Sequence, residues 1–75
     1  MANPVFFWTR DQVEIAVGGI DDLEPLDTGE VLGYEEAVNA YDVLVFRTMR
    51  RYTIRADQMV LTHRPPYSVG FREWE

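Results

Sequence analysis

Seventy-five residues allow a single domain, near the lower limit at which one core supports itself. An apolar content of 47%, with two tryptophans, four tyrosines and four phenylalanines, excludes a disordered acidic tail, and the absence of cysteine excludes a disulfide framework or a thiolate metal site. The net charge of −6 is unevenly held: residues 11–42 carry ten acids and no base, and all seven basic residues are arginine.

Asn3-Pro4 opens an apolar stretch, Val5-Phe6-Phe7-Trp8, which the polar run Thr9-Arg10-Asp11-Gln12 stops. Val13, Ile15 and Val17 then alternate with Glu14 and Ala16, the period of two expected of a half-buried strand. Gly18-Gly19 ends it, and Ile20 to Thr28 reads as a long acidic loop with isolated leucines. Gly29 to Tyr34 is a short strand bounded by glycines.

Residues 35–51 admit two readings. As a helix, Ala37, Val38, Tyr41, Leu44, Val45, Thr48, Met49 and Tyr52 form one stripe, with acids at the start and arginines at the end to suit the dipole. As a strand from Tyr41 to Thr48, Tyr41, Val43 and Val45 alternate on one face, while Leu44 and Phe46 keep the other apolar. The valines and aromatics favour the strand, and the helix stands as the alternative. Arg51 to Arg55 alternates again, Ala56-Asp57-Gln58 makes a tight turn, Met59 to Thr62 is a further strand, and Pro65-Pro66 breaks the chain. The tail alternates Tyr67, Val69 and Phe71 and ends near Trp74.

The order of strand, long polar loop, second strand, hairpin, one-turn connector and closing strand resembles the small barrels of the Src-homology, Tudor and KOW type. Val13 to Val17 supplies the first strand, Gly29-Glu30-Val31 opens the second, Tyr41 to Val45 and Tyr52-Thr53-Ile54 form the hairpin, and Ala56 to Leu61 is the connector running into the last strand. The resemblance implies a mainly β domain, a five- to six-stranded SH3-like barrel over about residues 11–63 with terminal arms at 1–10 and 64–75. The alternative is an α+β fold with one helix at about 35–51. The expected core is Val13, Ile15, Val17, Val31, Val43, Val45, Tyr52, Ile54 and Leu61, which share one face.

Catalytic chemistry has few groups to use. His63 is the single histidine and Ser68 the single serine, so a nucleophile, base and orienter are hard to assemble, and no enzyme activity is expected. Asp21, Asp22, Glu24, Asp27 and Glu30 could be drawn together as oxygen ligands for calcium, but their spacing does not fit the Asp-x-Asp-x-Asp-Gly loop and Pro25 interrupts it. No cofactor or metal is expected. No apolar run is long enough to span a membrane, and the start of the sequence lacks the pattern of a signal peptide, so a cytoplasmic location is expected.

Segregated charge acts on association rather than on fold. The expected partner-binding residues are Asp21, Asp22, Glu24, Asp27, Glu30, Glu35 and Glu36, facing a protein with a basic surface. Arg47, Arg50, Arg51 and Arg55 form a secondary basic patch that either contacts phosphate or an acidic partner, or neutralises the chain's own acidic loop. Direct nucleic-acid binding is not expected, since the net charge opposes a polyanion. In size and charge the chain resembles phage- or mobile-element-encoded inhibitors of nucleic-acid-binding host proteins, including anti-CRISPR proteins. The expectation is therefore a non-catalytic protein-binding module; the alternative is a small subunit of a large assembly, docked through its aromatic arms.

Overall fold

β-Branched and aromatic residues at alternate positions pair into antiparallel strands when each can turn one face to a common core, and this chain does so throughout. A computed structural model describes residues 7–70. Its strands are β1 (Trp8–Thr9), β2 (Gln12–Ile15), β3 (Thr28–Glu35), β4 (Ala40–Val45), β5 (Arg50–Arg55), β6 (Met59–His63) and β7 (Val69–Gly70). Single 3₁₀ turns at Glu36–Val38 and Ala56–Gln58 link β3 to β4 and β5 to β6.

The main sheet runs β5-β4-β3-β2-β6, all antiparallel, and β1 pairs with β7 in a separate two-stranded ladder. The protein is mainly β. Its two edge strands, β5 and β6, are joined through Ala56–Gln58 but are not hydrogen-bonded to each other, so the sheet is not a closed ring among the described residues. β3 is the long central strand, and a register shift between Val31 and Gly33 bends it.

Residues 35–51 correct the helical alternative. They form the Glu36–Val38 turn, all of β4 and the start of β5. Tyr41, Val43 and Val45 are buried on one face, which a helix would have scattered. Asn39 takes the left-handed conformation (φ 52°) that ends the 3₁₀ turn, and its Oδ1 accepts from the Tyr34 hydroxyl at 2.8 Å. Strand β4 stops at Val45 rather than Thr48, because residues 46–49 form the hairpin turn, closed by the Met49 N–H donating to the Val45 carbonyl at 2.7 Å.

The core holds Val13, Ile15, Val31, Val43, Val45, Tyr52 and Ile54 as expected, with Phe7, Leu23, Ala40, Tyr41 and Met59 added. Phe7 stands edge-on to Tyr41, ring centroids 5.3 Å apart, and its N–H donates to the Tyr41 hydroxyl at 3.2 Å. Val17 and Leu61 are corrections, each 39% exposed. β2 ends at Ile15, the Ala16 N–H still donates to the Gln58 carbonyl in register, and Val17 beyond it already lies in the loop. Leu61 sits on the edge strand β6, which among the described residues has a neighbour on one side only.

The described parts of the two expected arms are bound to the body of the protein. Phe7 enters the core, Trp8–Thr9 pairs with Val69–Gly70, and Arg64 reaches Asp11. The rest of those arms, including Val5, Phe6, Phe71 and Trp74, lies outside the described residues.

Candidate functional site

The acidic loop (residues 16–27) and the β4–β5 turn (residues 46–49) meet at one end of the main sheet, because β3 begins where β2 ends and where β4 ends. Ile15 and Leu26 extend the ladder into the loop: the Ile15 N–H donates to the Asp27 carbonyl (2.7 Å) and the Leu26 N–H to the Ile15 carbonyl (2.8 Å). The Phe46 N–H donates to the Thr28 carbonyl at 3.0 Å and fixes the turn beside the loop. Leu23 plugs the core from within the loop, with Ile20 packed against the same cluster.

Two arginines of the turn region then clasp the loop. Arg47 grips Asp27 with two parallel bonds, Nε to Oδ1 and Nη2 to Oδ2, each 2.8 Å, and its Nη2 also donates to the Asp22 carbonyl at 3.0 Å. Asp27 Oδ2 accepts in addition from the Glu24 N–H at 2.9 Å. Arg50 Nη2 donates to Asp22 Oδ2 at 2.6 Å, while the Tyr52 hydroxyl lies within hydrogen-bond distance of Asp22 Oδ1 (2.9 Å) and Thr48 Oγ1 (3.0 Å). Asp21, Asp22, Arg50, Arg51 and Tyr52 line an open cleft of about 430 Å3 at this end.

These bonds act on acidity. The Arg47 guanidinium, then the Glu24 N–H, hold the Asp27 carboxyl down at about 2, below its ordinary 3.8. The Tyr52 hydroxyl is the largest influence depressing Asp22, with Arg50 assisting. A carboxyl whose folded value is depressed contributes stability above its unfolded value and loses it as pH falls through the folded one. The Asp27 clasp should therefore weaken between pH 3.8 and about pH 2. Asp27→Asn is expected to flatten the acid limb of an unfolding-midpoint profile in that window; a parent-like acid limb would show that the clasp does not contribute.

The expected acidic set is divided. Asp21, Asp22, Glu24 and Asp27 share the loop, whereas Glu35 and Glu36 lie at the other end of β3, roughly 20 Å away at about 3.3 Å per residue. Glu30 lies on β3 between them, nearer the loop, and faces Arg10 at 3.6 Å. The four arginines of the expected basic patch are all on the chain's own carboxylates: Arg47 on Asp27, Arg50 on Asp22, Arg51 on Asp42 and Arg55 on Asp57. They neutralise the loop and the β4–β5 surface. Among the described residues, the acids without an arginine partner are Glu14, Asp21, Glu24, Glu35 and Glu36.

The sequence did not single out Leu26 and Met49. Both have left-handed backbone (φ 76° and 56°), and their side chains are 70% and 68% exposed. Asp21 shares the left-handed geometry (φ 47°), and Phe46 is also exposed. Positive φ is uncommon in bulky residues and marks a turn or strain, and strain collects at binding and switch regions. The available signal was slight: Leu23 and Leu26 are equally isolated among acids, yet one is buried and the other points out.

Elsewhere, His63 is exposed on β6 and the Ser68 hydroxyl is enclosed without a hydrogen-bond partner. No group of three or more His, Cys, Asp or Glu among the described residues is placed to hold a metal ion. No helix among them is long and apolar enough to cross a membrane. The chain matches no family model, no curated protein and no solved structure.

Proposed function

We propose that the chain is a non-catalytic protein-binding module that docks the loop 16–27 end of its sheet onto a basic surface of a larger protein. One observation carries this reading: Leu26 on the loop and Met49 on the turn that meets it are exposed on positive-φ backbone. Exposed apolar side chains among charged ones resemble the centre and rim of a protein interface. The basic character of the partner follows from the carboxylates that form no ion pair with an arginine, Asp21 and Glu24 in this loop. Such a field speeds encounter with a positive surface. A nucleic-acid-binding protein is the partner class that fits, and an inhibitor encoded by a phage or mobile element, of the anti-CRISPR kind, is the biological role it would serve.

The same reading takes the sheet as a small barrel of the Src-homology, Tudor and KOW type. It is supported by the meander from β2 to β5, the long loop after the first main strand, and the one-turn connector that returns β6 beside β2. The assembly-subunit alternative draws less support, since the described parts of both arms are paired with each other.

The test is partner capture from a lysate of the source organism, then titration of the recovered protein at two salt concentrations. Asp21→Asn with Glu24→Gln keeps the Arg47 and Arg50 clasps intact and should slow association several-fold and flatten its salt dependence. Leu26→Ser with Met49→Ser should speed dissociation. Added DNA or RNA should compete. Parent-like binding by both double variants would overturn the docking end.

A further inference from the structure

Among the described residues, positive φ occurs at Gly19, Asp21, Asn39, Arg10, Leu26 and Met49. Four of these have a plain reason. Gly19 has no Cβ to clash, and Asp and Asn tolerate the left-handed region better than other residues. Asn39 also uses its side chain within the fold, accepting from the Tyr34 hydroxyl, and Arg10 reaches Glu30. Leu26 and Met49 have no such reason: they are large, apolar and exposed. Both stand where turn chemistry favours glycine. Leu26 is third in the turn Glu24-Pro25-Leu26-Asp27, closed by the Asp27 N–H donating to the Glu24 carbonyl at 3.1 Å. Proline second and positive φ third is the type II pattern, whose third place suits Gly or Asn. Met49 ends the β4–β5 turn at φ 56°, the left-handed place that glycine commonly fills in hairpins. The Leu26 and Met49 N–H groups donate to the carbonyls of Ile15 and Val45, bonds that glycine would make equally well. The fold thus calls for the backbone at these positions and not for the side chains.

We infer, taking the docking end proposed above as given, that Leu26 and Met49 are its affinity-determining residues, apolar side chains kept at glycine positions against the stability of the fold because the partner holds them. The Arg47–Asp27 clasp joins the two segments that carry them, Asp27 following Leu26 and Arg47 standing two residues before Met49. Their backbones are therefore fixed relative to each other before a partner arrives, and preorganised anchors lose little freedom on binding. The partner that fits offers apolar depressions for these side chains within its basic surface.

The experiment combines urea unfolding of the free chain with titration of the protein captured by the parent chain from the lysate. Without partner, Leu26→Gly and Met49→Gly should each raise the folding equilibrium constant about threefold, the left-handed penalty less glycine's greater freedom when unfolded. In the titration each should weaken affinity about tenfold or more, chiefly through faster dissociation. Leu26→Asn suits the same conformation without glycine's flexibility and should follow Leu26→Gly in both measurements. Arg10→Gly relieves a positive φ before the start of β2, at the far end from the loop, and should bind as the parent does. Glycine variants no more stable than the parent overturn the inference whatever they bind. Stabilised variants with parent-like affinity also overturn it, and Asp21→Asn with Glu24→Gln then separates the two readings. Slowed association by that double variant leaves the docking end standing, while parent-like association removes both. Capture of no protein by the parent removes both as well.

Discussion

Replacing Asp11 with alanine is expected to remove about 3 kcal/mol of stability, at the lower end of the range for breaking a buried ion pair. A domain of this length has roughly 5–10 kcal/mol in all, so the loss should be plain in a urea titration. Asp11 is a fully buried carboxylate. It accepts from the Trp8 N–H at 2.7 Å and from Arg64 Nε and Nη2 at 3.0 and 2.8 Å. The Arg64 guanidinium also lies 4.0 Å above the centre of the Trp8 ring. One carboxylate thus ties β1, the bend at Arg10 (φ 77°) and the segment after β6 into one unit.

The asymmetry of the pair decides which variant suffers more. Arg64 is 31% exposed and can hydrate when Asp11 is removed. Asp11 cannot, so Arg64→Leu strands a charge inside and should cost about 4–5 kcal/mol. The double variant Asp11→Ala with Arg64→Leu should lose less than the two single losses added, because neither charge is left alone. Strict additivity, or a loss below about 1 kcal/mol for Asp11→Ala, would show that the pair does not hold the termini.

The strands were legible because each has a period of two, and burial of Val13 with Ile15, Val43 with Val45, and Tyr52 with Ile54 follows from it. What the pattern misjudges is where a strand stops. Val17 continues the alternation in sequence, but β2 ends at Ile15, the Ala16 N–H donating to the Gln58 carbonyl carries the pairing with β6 one residue further, and Val17 lies beyond it. Phe7 and Leu23 are buried by tertiary closure and carry no periodic signal. The acidic block was visible as charge but not as geometry. Its division by β3, and the pairing of Asp22, Asp27 and Asp42 with arginines from the second half of the chain, depend on which ends of strands meet. Charge separated along the sequence is here largely reunited by the fold. The docking end keeps a smaller excess, and Leu26 and Met49 mark it through backbone conformation, which residue type alone does not disclose.

Gly29 and Gly33 illustrate the same limit, and they carry the other large prediction. In sequence they are equivalent, two glycines bracketing a short apolar strand. In the fold Gly29 sits between Val13 on β2 and Val45 on β4, and a Cβ there would lie 2.5 Å from the Leu44 carbonyl oxygen and 2.9 Å from Val43 Cγ1. The obstacle is backbone, so no side chain can swing aside. β4 cannot retreat either, since β5 is paired along its other edge. Gly29→Ala must therefore part the centre of the sheet, and about 3 kcal/mol or more is expected, at or above the upper end for overpacking. At Gly33 the nearest atom to an added Cβ is Asp42 Cβ at 3.8 Å, an ordinary contact. Gly33→Ala also restricts the unfolded chain, so it should be neutral or gain about 0.4–1 kcal/mol. Denaturant midpoints of the two variants should thus move apart, Gly29→Ala falling far below the parent and Gly33→Ala matching or exceeding it. Equal midpoints for Gly29→Ala and the parent would mean that β3 and β4 do not approach this closely, and the strand register given above would have to be abandoned.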